Sequence, residues 1–292
     1  MKKLFVIMIS VLLLLGSFAC AEAKPAATQA QPTAEITDVP KTPEPTPKPT
    51  EAPTEEPTPE PTESPTPEPT EEPTPTPEPT KDPNRPMVAL TFDDGPNMNL
   101  TIPVLEKLEQ YHVKATFYVL CPAFNETTVP MLQMMVDGGH EIGVHGLTHE
   151  LMTHFTRAEN AQRLTKACET ISGWIEGGYQ PKTMRPPGGS NNGNVKNGAK
   201  DAGLAVIIWS VDTLDWYTQD VKKIMDVVKK ETKDGAIILC HDHHKPTLDA
   251  LDEMIPWLLE QGYDLVTVSE LLESTGKPLE PGKLYFQKEN GD

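Results

Sequence analysis

The chain has 292 residues, enough for one large domain or two small ones. Its formal charge of −18 sets 43 acids against 25 Lys and Arg, and so acidic a chain lacks the clustered cations that phosphate contacts require. That excludes nucleic acid as the expected partner and points to a neutral or partly cationic polymer.

Composition divides the chain. Lys2 and Lys3 precede an apolar run from Leu4 to Leu15 that is short for a membrane span and reads as an export signal over residues 1–23. Two processing readings stand open. Ala21-Glu22-Ala23 fits ordinary signal cleavage, whereas Ser17-Phe18-Ala19-Cys20 resembles a lipobox in which Cys20 would become a lipid anchor at the cell surface. Cys121, Cys168 and Cys240 are too widely spaced for a zinc cluster and read as small buried apolar residues.

Residues 24–84 form a Pro/Thr/Glu-rich linker that holds 19 of the 31 prolines, Pro25 to Pro83. With so few apolar residues it cannot offset chain entropy, so a disordered stalk is expected. In extended polyproline form, at about 3.1 Å per residue, its residues 25–82 would reach roughly 180 Å.

From residue 85 short apolar runs alternate with helical patterns. Val88–Phe92, Ala115–Leu120, Glu141–His145, Ala205–Val211, Ala236–His241 and Leu265–Val268 read as buried strands. Helices are expected near 100–110, 128–137, 157–176, 195–202, 221–232 and 247–261, with a short one after Ser269. The alternation predicts an α/β fold with a parallel sheet, open or closed as a barrel, and catalytic groups at the carboxyl ends of the strands.

Those ends carry the unusual residues. Asp93-Asp94-Gly95-Pro96 finishes the first strand with two carboxylates that can face one site only if the chain bends there. His145-Gly146-Leu147-Thr148-His149 follows the third strand and, with a carboxylate, has the composition of a divalent-metal site. Arg185-Pro186-Pro187-Gly188-Gly189 combines a permanent cation with a backbone that a ligand can approach. Asp212-Thr213-Leu214-Asp215-Trp216 adds two acids and an aromatic, and Leu239-Cys240-His241 brings a histidine suited to general acid work.

In this order the five segments resemble the signatures of polysaccharide deacetylases, carbohydrate esterase family 4, across residues 85–276, with 277–292 as a tail. The resemblance implies a distorted (β/α) barrel of seven to eight strands and a metal-dependent hydrolase acting on an N-acetylated polysaccharide, peptidoglycan first. Chitin oligosaccharides, exopolysaccharide and acetyl-xylan are the alternatives, as is a wall-binding module with weak catalysis. The export signal implies an extracellular or cell-surface location, and membrane contact only through a lipid anchor at Cys20. The metal is expected to be zinc, with cobalt or another divalent ion as alternatives. Asp94, His145 and His149 would hold it, Asp93 would act as base, and Arg185 would orient Asp93. Gly188 would offer an N–H to the oxyanion, and His241, sustained by Asp215, would protonate the leaving amine. Leu239 and Trp216 would wall the acetyl pocket.

Three departures stand out. Gly146 replaces a hydroxyl residue that usually braces the histidine loop, and Gly188 replaces an aromatic. His243 and His244 exceed what the last motif needs and read as exposed loop histidines, with a second metal site as the alternative. His140 reads as a turn brace, and His112 and His154 receive no role. Trp174, Trp209 and Trp257 read as core.

Overall fold

The computed structural model describes residues 85–288. The export signal, Cys20 and the stalk lie outside the described residues. Nine strands are formed among the described residues: β1 (Met87–Asp93), β2 (Thr116–Leu120), β3 (Glu141–Gly146), β4 (Thr183–Met184), β5 (Ala205–Ile207), β6 (Val211–Asp212), β7 (Ile237–His241), β8 (Asp264–Leu265) and β9 (Leu284–Tyr285). Eight α-helices lie between them: α1 (Thr101–Gln110), α2 (Val129–Asp137), α3 (Arg157–Trp174), α4 (Gly193–Asp201), α5 (Asp215–Thr218), α6 (Val221–Glu231), α7 (Lys245–Glu260) and α8 (Val268–Glu273).

The strands pair in the order β6-β7-β1-β2-β3-β4-β5-β9, with β8 against the start of β1, and every one of these pairings is parallel. Central strands of such a sheet are covered on both faces, so β1 and β2 are buried almost throughout, as their unbroken apolar runs require. Helices close the outer face through one apolar side each. In α6, Ile224, Met225 and Val228 are buried while Lys222, Lys223, Lys229 and Lys230 stay in solvent.

Curvature follows from connectivity. β5 and β6 lie near opposite ends of the strand order, yet only residues 208–210 join them. So short a link spans less than about 15 Å, and the sheet must curl until its ends approach. An antiparallel contact between Ala236 and Gln287 bridges the same seam. This is the expected distorted barrel.

Some elements depart from their expected extents. The run Ala205–Val211 is two strands rather than one, because the chain leaves the ladder at Ile208–Ser210. β4 has only two residues, and β9 lies in the segment expected as tail and pairs with β5. Trp174 is not core: it ends α3 and is 54% exposed. Trp209 and Trp257 are half-buried and pack against the core. Cys240 is buried, while Cys121 and Cys168 are half-buried free thiols against the core.

The amino-terminal rim of the barrel is knit by Glu141. Its buried carboxylate accepts hydrogen bonds from Thr183 Oγ1 (2.7 Å), Thr116 Oγ1 (3.2 Å), Ser269 N (2.8 Å) and Ser269 Oγ (2.9 Å). Beside it His140 does brace a turn: its Nδ1 accepts the Ala115 N–H at 3.1 Å and its ring meets Phe117 edge-on. Burial, with Lys114 nearby, pushes the His140 pKa down to about 4, so the ring is neutral.

Candidate active site

At the opposite rim all five motif segments converge. The β1–β7 ladder ends by placing Asp93 level with His241, and the β1–β2 ladder places Asp93 level with Tyr118. Asp94 then takes φ +74°, a left-handed conformation that Asp tolerates better than most residues. This is the bend that two adjacent carboxylates need in order to share a site. Asp93 Oδ2 and Asp94 Oδ1 lie 3.8 and 3.3 Å from the same nitrogen, His145 Nε2.

Asp94, His145 and His149 form a cluster whose donor atoms lie within 4.8 Å of one another, with His149 Nε2 3.5 Å from Asp94 Oδ1. Three details suit a cation. His145 Nδ1 lies 2.9 Å from the Arg185 carbonyl, so it carries the ring proton and leaves the Nε2 lone pair facing Asp94. Asp94 Oδ1 is buried without a hydrogen-bond donor, which leaves a carboxylate oxygen uncompensated. Burial pushes the Asp94 carboxyl up, but positive charge on His145, His149 and His241, when they are protonated, outweighs it and brings the pKa down to about 2, so the site favours a cation beside Asp94. The residues fit a divalent metal bound by two imidazoles and one carboxylate.

Gly146 is explained by its backbone. Its φ of +125° is one that L side chains rarely adopt, and a Cβ there would sit 2.9 Å from the Thr148 carbonyl oxygen. The bracing hydroxyl stands two residues on: Thr148 Oγ1 donates to Glu150 (2.6 Å) and accepts from Arg163 Nη2 (2.5 Å), fastening the loop to α3.

Arg185 is fully buried. Its Nη1 donates to Asp93 Oδ1 and Thr91 Oγ1, both at 2.7 Å, and its Nη2 donates to the Ile208 carbonyl at 3.0 Å. Tyr118 stacks 4.3 Å from the guanidinium carbon and Trp209 lies 5.6 Å away. A permanent cation so enclosed fixes the Asp93 carboxylate in one orientation. In the turn that follows, the N–H groups of Gly189 and Ser190 are committed to Pro186 and Pro187 carbonyls, leaving Gly188 N–H as the uncommitted donor. Gly188 has φ +61°, and a Cβ there would touch Leu151 Cδ2 at 3.7 Å, so Leu151 lines the side where an aromatic was expected.

On the other side Asp215 is wholly buried and saturated. Oδ1 accepts from Trp216 N and faces His241 Nδ1, both at 2.8 Å, while Oδ2 accepts from His241 N and Thr247 Oγ1, both at 2.7 Å. Burial alone would raise the Asp215 pKa, but the hydrogen bond and charge of His241, with Thr247, lower it. Burial alone would likewise depress His241, and the bond to Asp215 and its charge, helped by Asp93 and Asp94, raise it instead. With Nδ1–H given to Asp215, His241 presents Nε2 to the groove. Leu239 lies two residues before it on the same strand face, and Trp216 is half-exposed at the rim. Asp212 accepts the Leu214 N–H at 3.0 Å and serves the turn.

His243 and His244 are not freely exposed. They are half-buried, their rings tilted against each other at 4.0 Å between centroids, with His241 at 5.5 and 5.8 Å. Among the described residues they join no three-donor cluster. The partners that sequence reasoning missed, Tyr118, Thr247 and the fully buried Asp242, come from outside the motif cores. A tyrosine inside an otherwise apolar strand was the available signal for the first.

A family model for polysaccharide deacetylases matches residues 80–207. The peptidoglycan-N-acetylglucosamine deacetylase PgdA of Listeria monocytogenes is 38% identical over 201 residues, covering 69% of this chain and 41% of that protein, so the chain spans less than half of that relative. The structure of peptidoglycan deacetylase PdaC from Bacillus subtilis is 37% identical with a TM-score of 0.62, covering 67% of this chain and 94% of that one. A family 4 acetyl xylan esterase from Clostridium thermocellum, in complex with cobalt, is 34% identical with a TM-score of 0.64, over 69% and 98% of the two chains.

Proposed function

Because the chain belongs to the polysaccharide deacetylase family, we propose that residues 85–276 carry a metal-dependent hydrolase that removes N-acetyl groups from a cell-wall or extracellular polysaccharide. The GlcNAc or MurNAc units of peptidoglycan are its first substrate, in keeping with the names of PgdA, a peptidoglycan-N-acetylglucosamine deacetylase, and PdaC, a peptidoglycan-N-acetylmuramic acid deacetylase. The observation that carries this reading is the pairing of Asp93, held by Arg185, with His241, held by Asp215, on adjacent strands beside the three-donor cluster.

A divalent cation held by Asp94, His145 and His149 would polarise the acetyl carbonyl and acidify the attacking water. Zinc suits the two imidazoles and one carboxylate; the cobalt bound to the Clostridium esterase supports cobalt as an alternative. Asp93 takes a proton from the water as the water oxygen bonds to the acetyl carbon. The Gly188 N–H faces the oxyanion that develops. The C–N bond then breaks with its electron pair on nitrogen, and His241 delivers a proton from Nε2 to that nitrogen. Acetate and a free sugar amine result.

Export and surface location are supported by the Lys2–Leu15 segment, and lipid anchoring by Ser17–Cys20. Mass analysis of the mature amino terminus separates a lipidated Cys20 from a chain beginning at Lys24. A second reading, deacetylation of chitin oligosaccharides or acetyl-xylan, draws on Gly188, where Leu151 rather than an aromatic side chain lines the site. The deciding experiment is acetate release from peptidoglycan, chitin oligomers and acetyl-xylan, with chelator and with added zinc or cobalt. Peptidoglycan is expected to release the most acetate, and only with metal; chelator-insensitive release would overturn the reading.

A further inference from the structure

We propose that Asp242 is a positioning residue that holds the metal-ligand loop against the strand bearing the proton donor. The inference rests on Asp94 being a metal ligand. The backbone ladder between β1 and β7 ends at Asp93 and His241, and the next residue, Asp94, has already turned away. Asp242 continues the join where the ladder stops. Side chains alternate along a strand, so with His241 toward the groove Asp242 points to the other face, where it is 1% exposed.

There its carboxylate lies flat on Gly95, the residue after Asp94. A Cβ at Gly95 would come within 2.4 and 2.5 Å of the two Asp242 oxygens, so only glycine leaves room. From the far side Leu120 N–H holds the Gly95 carbonyl at 2.9 Å. The Thr101 hydroxyl, buried at the start of α1, donates to Asp242 Oδ2 and accepts the Asn97 N–H at 2.7 Å. One side chain thus ties together the ligand loop, the first turn of α1 and the end of β7. Its Oδ1 receives no hydrogen bond, unlike the saturated Glu141 and Asp215, and burial pushes its pKa up to about 7. A carboxyl kept there with a single donor, one residue from a ligand and one from the proton donor, is placed to set the spacing between them.

The test uses the full chain, cobalt(II) as probe, and the variants Asp242→Ala, Asp242→Asn and Thr101→Val. Asp242→Ala is expected to weaken cobalt binding about tenfold, to shift the visible absorption bands of bound cobalt, and to lower kcat on chitin oligomers with KM little changed. Asp242→Asn, which keeps the shape and the acceptor for Thr101, should restore all three. Thr101→Val should change the cobalt bands in the same direction as Asp242→Ala, and it serves if the alanine variant does not fold. Cobalt bands and kcat identical to the parent in both Asp242→Ala and Thr101→Val overturn the positioning role while leaving the metal reading intact. A parent chain that binds no cobalt overturns both.

Discussion

Two carboxylates at opposite rims of one barrel, Glu141 buried and Asp94 half-buried, behave differently. Glu141 closes the amino-terminal rim with four protein donors on its two oxygens. Asp94 opens the carboxyl-terminal rim with an oxygen that no donor meets and two imidazole nitrogens at 3.3 and 3.5 Å. Each has a buried carboxylate oxygen; completeness of hydrogen bonding separates them. A satisfied carboxylate binds strands together, and an unsatisfied one facing lone pairs waits for a cation. Removing either side chain should therefore injure a different property.

The largest effect is expected at the working rim. Asp93→Asn should lower kcat by about 10²- to 10⁴-fold while bound metal, by elemental analysis, stays at the parental level; normal turnover would remove Asp93 as the base. His149→Ala should lose metal yet unfold in denaturant like the metal-free parent, and unchanged metal content would refute the ligand set. Glu141→Ala should do the reverse, costing about 2–4 kcal/mol in urea unfolding, because it strands four donors, three hydroxyls and one amide, with metal content untouched.

Acid should also tell the rims apart. His140 has a folded pKa of about 4 against an ordinary 6.5, so the unfolded chain takes up a proton first as pH falls. Its contribution is complete above pH 6.5 and is lost progressively toward about 4, on the order of 3 kcal/mol. His140→Asn, whose amide oxygen can still accept the Ala115 N–H, should flatten that loss between pH 7 and pH 4.5 in urea melts; an identical slope would show that His140 does not titrate in this way. The smallest effect belongs to Gly146→Ser, which restores a hydroxyl but forces a side chain onto φ +125°. Thermal unfolding should show a loss of about 1–2 kcal/mol with no gain in kcat.

Much of this was legible before the fold. Parallel strands covered on both faces read as unbroken apolar runs, so β1, β2, β3 and β7 were found within a residue or two. β4 and β9, two residues each, have no run to read, and their pairing depends on neighbours distant in sequence. Trp174 fitted a helical pattern but fell in the last turn of α3, where periodicity no longer implies cover. The reacting groups were visible because each sits in a local motif. Their supports were not: Thr247 reaches Asp215 across 32 positions, and Ile208 gives its carbonyl to Arg185 because the seam passes there.

The level placement of Asp93 and His241 across the β1–β7 ladder also sets the proton traffic of repeated turnover. In the proposed reaction one strand end gains a proton and its neighbour loses one, so the pair finishes each cycle inverted. Net charge across the two strands is the same at the start and at the end of turnover, which lets Arg185 and Asp215 stay fixed while the acid and base exchange states. Recovery then needs only a proton returned from Asp93 to His241 through water in the groove, with no rearrangement of the barrel between substrates.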